Sequence, residues 1–346
     1  MTVLTMPAPA GQDTALRPVP WRRMAWVTWR QHRPTLISLP VVLGAVAVFL
    51  WIAGLRIHHN YALLTACHPF SSNACQTLNS NFNGTDWTMA NTIDIFMNLA
   101  PALIGAFAGA PVLARELETG TYRYAWTQGF GRARWTIAKL ALLAVAVTAV
   151  AGAFSQVFVW FFQPFLGQES LTLFSATVFA THGIAFAAWT LIAFAIGALA
   201  GMGIRRIVPA MAATLGAYTG LALATWLFLR EHYPLALVTN HPSINPAPFS
   251  ANDSWVLSTW YTGPGGKPAS QSTLNQIFAL FPHNGGGPRV KETLAQEFAQ
   301  HDITVWQRYI PVSRFWPMQF VEAGWLLALS VLLIAATVGL VRRRAA

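Results

Sequence analysis

The chain has 346 residues, of which 54% are hydrophobic, 13% aromatic and only 10% charged, far below the roughly 25% charged residues of an ordinary soluble domain. This composition excludes a conventional soluble enzyme or binding domain. The formal net charge of +10, from 22 Lys and Arg against 12 Asp and Glu, raises the question of a nucleic-acid partner, and the placement of those charges decides it.

Residues 1–20 are rich in Pro and Ala without a period and read as a disordered tail. Residues 21–35 mix Trp21, Trp26 and Trp29 with Arg22, Arg23, Arg30 and Arg33, the composition of an interfacial helix lying on a membrane. A hydrocarbon core of about 30 Å, crossed at 1.5 Å per residue, needs about 20 mostly apolar residues. Six runs qualify: Leu36 to Leu55, Ile93 to Leu113, Ala141 to Phe162, Thr177 to Met202, Val208 to Leu229 and Phe320 to Val341. The first lies too far along, with no small-residue cleavage pattern after it, for a cleavable signal peptide, and reads as a permanent anchor.

The expected organisation follows. Residues 36–229 hold the first five transmembrane helices with an inner loop at 114–140; 230–318 form an outer cap; and 319–346 hold the sixth helix and a basic tail. The fold class is an all-α membrane protein with six transmembrane helices, both termini cytoplasmic, and a small extracellular cap between helices 5 and 6. With the N-terminus inside, fifteen Lys and Arg fall on the inner side and seven on the outer, where seven acids balance them. The basic excess therefore records topology, because positive residues accumulate on the cytoplasmic side. No nucleic acid is needed to explain it.

The only two cysteines, Cys67 and Cys75, have seven residues between them and lie on the side that is oxidising in bacteria. A disulfide is expected, with two buried free thiols as the alternative. The long third outer loop carries turn clusters at Gly263 to Gly266 and Gly285 to Gly287, an amphipathic pattern through Val290, Leu294 and Phe298, and strand-like content at Ile303 to Ile310. Gly263-Pro264-Gly265-Gly266-Lys267-Pro268 lacks the spacing and hydroxyl residue of a phosphate-binding loop and reads as a turn. His58, His59 and His68 cluster in sequence, but surface or interface placement is the simpler reading, and no metal is assigned.

Ionisable groups within spans are costly and are functional candidates. Asp94, His182 and Glu322 fall near the outer ends of their helices. There they reach water or pair with Arg308 or Arg314; the sharper alternative has them lining an outer vestibule that contacts polar or cationic cargo. Three G-x-x-x-G spacings, Gly105 with Gly109, Gly197 with Gly201 and Gly216 with Gly220, let helix backbones approach closely. Packing within the chain is expected for at least two of them.

The inner loop is the only one on its side with room for its own structure. Helix 2 should continue past the membrane through Glu118, with Gly120 taking the positive φ that ends it. A short second helix from Thr121 to Gln128 then lies along the surface, stopped by Gly129 and Gly131. On pattern alone, a basic connector serves equally well.

The Glu-x-Glu-x-Gly-Thr of Glu116, Glu118, Gly120 and Thr121, followed by a turn, an Arg and the Lys139 that opens helix 3, resembles the membrane subunit of ABC-2 type ABC transporters. The opening Trp26-Val27-Thr28-Trp29-Arg30-Gln31-His32-Arg33 and the closing segment from Tyr309 to Glu322 are similar to actinobacterial permeases of that family. Where many members carry a Pro-x-Ser-Arg-like turn, this chain has Gly129-Phe130-Gly131-Arg132. The resemblance implies a permease subunit of the bacterial cell membrane, an exporter as most members are, forming the translocation path. It pairs with a second copy or a related permease and with two separate ATPase subunits. ATP and Mg belong to those partners, so this chain has no catalytic residue or cofactor of its own. A coupling helix would contact the ATPase through Glu116, Glu118, Gly120, Thr121, Arg123, Tyr124 and Arg132. The alternative from another class is an ATP-independent secondary transporter or a membrane sensor with a ligand-binding cap.

Overall fold

A computed structural model describes residues 20–68, 72–120, 132–166, 173–233, 237–241, 254–280 and 296–343. Six helices are long and apolar enough to cross a membrane, where a helix satisfies every backbone polar group internally. They are α1 (Trp21–Ala66), α2 (Asn73–Thr119), α3 (Arg132–Phe162), α5 (Ala185–Ile204), α6 (Ile207–Ala224, prolonged by a π-turn to Leu229) and α8 (Phe315–Arg343). A short α4 (Ala176–Thr181) precedes α5. Each span reverses the previous one, so the bundle has a basic end, carrying Arg30, Arg115, Arg205 and Arg342, and a cap end.

The expected boundary between an interfacial helix and the first span is absent. The helix α1 runs unbroken for 46 residues through Pro34 and Pro40, about 70 Å at 1.5 Å per residue. It therefore projects beyond a single crossing. At the cap end, α1 and α2 project together. Cys67 and Cys75 are joined by a disulfide with Cα atoms 5.7 Å apart, Asn60 Nδ2 donates to the buried Asp86 at 2.7 Å, and Phe82 stacks on Phe165. The helix α2 has wide π-turns at Phe82–Asp86 and Gly105–Gly109. The second lies immediately before Pro111, which cannot donate the next helical hydrogen bond, and a widened turn accommodates that gap.

The hub of the bundle is α5, the most buried of the spans, whereas α1 and α6 are the least buried. Lipid tails are as apolar as Leu, so close backbone approach substitutes for a hydrophobic driving force. A Cβ on Gly105 would strike Ala193, one on Gly109 would strike Phe194, and one on Gly197 or Gly201 would strike the backbone around Gly105 and Ala110. Two of the three glycine pairs thus form one reciprocal contact between α2 and α5. Gly216 and Gly220 on α6 face open space.

Between α6 and α8 lies a mixed unit rather than a purely helical one. Strands β1 (Leu237–His241), β2 (Ser254–Thr262) and β3 (Thr304–Pro311) form an antiparallel sheet in the order β1-β3-β2. Helix α7 (Gln271–Leu280) packs Leu274 and Ile277 with Phe298 and Ile303 into its small core. The turn at Pro264–Gly266 holds Gly265 and Gly266 at positive φ. Phe174, Phe179, Ile310, Phe315 and Met318 join this unit to the bundle. The sequence-expected elements at Gly285 to Gly287, Val290 and Leu294 lie outside the described residues.

Candidate functional site

At the basic end, α2 stops where the sequence expects it to, with Gly120 in the left-handed conformation at φ 71°. A side chain there would be strained, and Gly is the residue that adopts this φ without cost. Glu116 and Glu118 stand on the last turn before it. Both carboxylates are engaged within the chain. Glu116 Oε1 accepts from Lys139 Nζ of α3 at 2.7 Å and from Gln31 Nε2 of α1. Lys139, wholly buried, also donates to the Val112 carbonyl at 2.8 Å. Glu118 Oε2 accepts from the backbone N–H of Ile207 at 3.1 Å. That N–H opens α6, whose own cap residue Arg206 supplies no side-chain acceptor, so Glu118 does the capping from another helix.

The spacing explains the division of labour. Residues two apart on a helix point in different directions, so the Glu-x-Glu pair reaches α1 and α3 on one side and α6 on the other. Three other helices, α1, α3 and α6, thus meet α2 at Glu116 and Glu118, shortly before residues 121–131. Thr121, Arg123 and Tyr124, and the helix expected from Thr121 to Gln128, lie outside the described residues, as does the side chain of Arg132. Lys139 is the residue whose role sequence reasoning understated. The signal was there: a lone Lys at the start of an apolar run needs a partner, and the acids of the preceding helix are the nearest in sequence.

At the cap end, the three intramembrane candidates do not line an open vestibule. Asp94 is 2% exposed, His182 3% and Glu322 0%. They fall into two clusters. Asp94 Oδ1 accepts from Thr181 Oγ1 at 3.2 Å, and the adjoining His182 donates from Nδ1 to the Val178 carbonyl at 2.8 Å, with Phe158 and Phe162 edge-on to its ring. Glu322 lies in a separate group with Arg230, Trp189 and Tyr233. Trp189 Nε1 donates to Oε1 at 2.8 Å, and the Arg230 guanidinium bonds both carboxylate oxygens. Neither Arg308 nor Arg314 is the partner of Glu322, and all three side chains are buried. Arg230 was missed because it reads as the first residue of an outer loop. Its signal was an Arg at the outer end of one span at the same depth as a Glu at the outer end of another.

Around that ion pair the polar groups are nearly all satisfied. Arg230 Nη1 donates to the Ala176 carbonyl at 3.2 Å, and its guanidinium lies 4.4 Å from the centre of the Phe179 ring. Gln319 accepts from Ala185 N–H and donates to the Phe179 carbonyl, both at 2.9 Å. Tyr233 Oη accepts from Trp325 Nε1 at 2.8 Å, and burial, followed by the charge of Glu322, raises its phenol above the usual range. The arrangement ties α4, α5, α6 and α8 together. Chemically it is a fastener. Of the three histidines near the outer end of the first span, His58 donates from Nε2 to the Trp160 carbonyl at 2.9 Å and stacks on that indole.

No curated protein and no solved structure matches the chain. Residues 40–230, which run from the first span to Arg230, match the family described as ABC-2 membrane transporter related. That match covers more than half of the chain and includes the glycine contact between α2 and α5, the Glu-x-Glu staple and the disulfide. This multi-pass integral membrane protein therefore belongs to the ABC-2 membrane transporter related family, the permease component of ABC-2 transporters.

Proposed function

We propose that this permease subunit couples to separate ATPase subunits through the segment that follows Gly120 and that it works as an exporter. The observation that carries the reading is the convergence of α1, α3 and α6 on Glu116 and Glu118. A push delivered just beyond Gly120 is transmitted through α2 to three other helices at once, because packed helices move as rigid bodies rather than deforming continuously. Thr121, Arg123, Tyr124 and Arg132 make the contact with the ATPase in this reading, while Glu116, Glu118 and Gly120 position them. The basic end is cytoplasmic on the charge asymmetry. ATP and Mg are held by the partner, and a second copy of this chain or a related permease completes the translocation path.

Co-expression with an ATPase subunit tests the reading. The double variant Arg123→Glu with Tyr124→Ala should lose the ATPase on purification while keeping the wild-type melting temperature. Retention of both the complex and ATP-dependent transport would overturn the coupling assignment. Export is checked in inside-out vesicles, where ATP should drive cargo into the lumen.

A further inference from the structure

Where α1 and α2 face each other at the basic end, they leave a cavity of about 370 Å³ between residues 31–35 and residues 107–119. Its walls change character along its length. Gln31, His32 and Arg115 lie at one end, and Phe107, Ala108 and Pro111 at the other. From Thr119 to Phe107 is twelve residues, about 18 Å at 1.5 Å per residue; Phe107 to Leu113 belongs to the second apolar run and Ala114 to Thr119 lies beyond it. The cavity therefore crosses the bilayer surface, polar at headgroup depth and apolar on the hydrocarbon side. That is the polarity of a lipid standing in the same leaflet.

The charge of the polar end is also defined. Glu116, the one acid on the wall, is already met by Lys139 and Gln31. Arg115 has no carboxylate partner among the described residues, and His32 keeps its Nε2 buried with no hydrogen-bond partner. Arg30 and Arg33 flank it on α1. A cation and an unsatisfied ring nitrogen at headgroup depth, above an apolar slot, suit an anionic headgroup on an acyl chain.

We propose that this cavity is a binding site for an anionic phospholipid of the leaflet at the basic end, with the headgroup phosphate held by Arg115 and His32 and an acyl chain lying against Phe107 and Pro111. The site is distinct from the contact with an ATPase and is measured without one. The full chain is reconstituted in nanodiscs of phosphatidylcholine containing a trace of phosphatidylglycerol with a photoactivatable acyl chain, and the crosslinked peptide is identified by mass spectrometry.

Labelling should map to residues 107–119. Unlabelled phosphatidylglycerol should reduce it at least fivefold, while added phosphatidylcholine and inorganic phosphate leave it unchanged. Arg115→Gln, which removes the cation, and Thr35→Trp, which fills the slot, should each reduce it at least fivefold in protein that melts like the wild type. Equal competition by phosphatidylcholine would show ordinary annular contact, and displacement by inorganic phosphate would show a bare anion site; either overturns the proposal. Unchanged labelling in both variants overturns it too. If a variant does not fold, the competition series on the wild-type chain decides the matter alone.

Discussion

The guanidinium of Arg230 grips the carboxylate of Glu322 with two hydrogen bonds, Nε to Oε2 at 3.1 Å and Nη2 to Oε1 at 2.9 Å, in a place where both side chains are sealed from solvent. One residue ends the fifth span and the other begins the sixth, 92 positions later. The pair closes the cap end of the bundle.

Breaking the pair from one side leaves a charge buried without its counterpart, which costs about 3–5 kcal/mol. Arg230→Leu and Glu322→Leu should each lower the melting temperature of the purified protein sharply. The double variant should recover most of the loss, since an apolar pair of similar volume needs no mutual compensation. Equal loss in the double variant and the singles would show that Trp189 and Ala176, rather than the ion pair, hold the junction.

The α2–α5 contact makes a second prediction. Gly197→Val places branched carbon against the backbone of Gly105 and Ala110, and overpacking of this kind costs about 1–3 kcal/mol or more. Gly216→Val adds the same atoms where nothing lies within 4 Å and should leave the melting temperature of the monomeric chain unchanged. Comparing the two in detergent separates backbone packing from helix propensity, which both substitutions alter alike.

Reduction of the Cys67–Cys75 disulfide should cost about 2–3 kcal/mol, the loop-closure value for so short a loop. The same bond reports orientation. If the cap end is outside, a membrane-impermeant maleimide should label intact spheroplasts only after a reductant is added. Labelling that requires opened membranes would invert the topology.

Glu118→Ala removes the acceptor that caps α6, at a cost of about 1 kcal/mol. Lys139 is sealed more deeply than Glu116, so Glu116→Ala should destabilise more than Glu118→Ala, by about 3 kcal/mol, and Lys139→Met in the Glu116→Ala background should restore part of it. Denaturation of the four proteins in parallel checks the order.

The six apolar spans, the basic end of the bundle and the class of protein were legible in the amino-acid sequence, because apolar runs of membrane length and an uneven count of Arg are properties of single segments. So was the end of α2 at Gly120, where a backbone conformation depends on one residue. The glycine spacings announced close packing, but which helices they would join did not follow from them: Gly105, Gly109, Gly197 and Gly201 face one another, and the identically spaced Gly216 and Gly220 face nothing.

The sequence by itself determined where this chain can enter a bilayer and which of its ends carries the positive charge, since both follow from local transfer energies. Only the tertiary structure decided how its buried charges are neutralised. Glu322 takes Arg230 instead of the sequence-nearer Arg308 or Arg314, Glu116 takes Lys139, and Glu118 caps a helix that begins 89 residues away. A charge inside a low-dielectric bundle is satisfied by whatever group stands at its own depth on the neighbouring helix, and depth and neighbour are set by packing rather than by order along the chain.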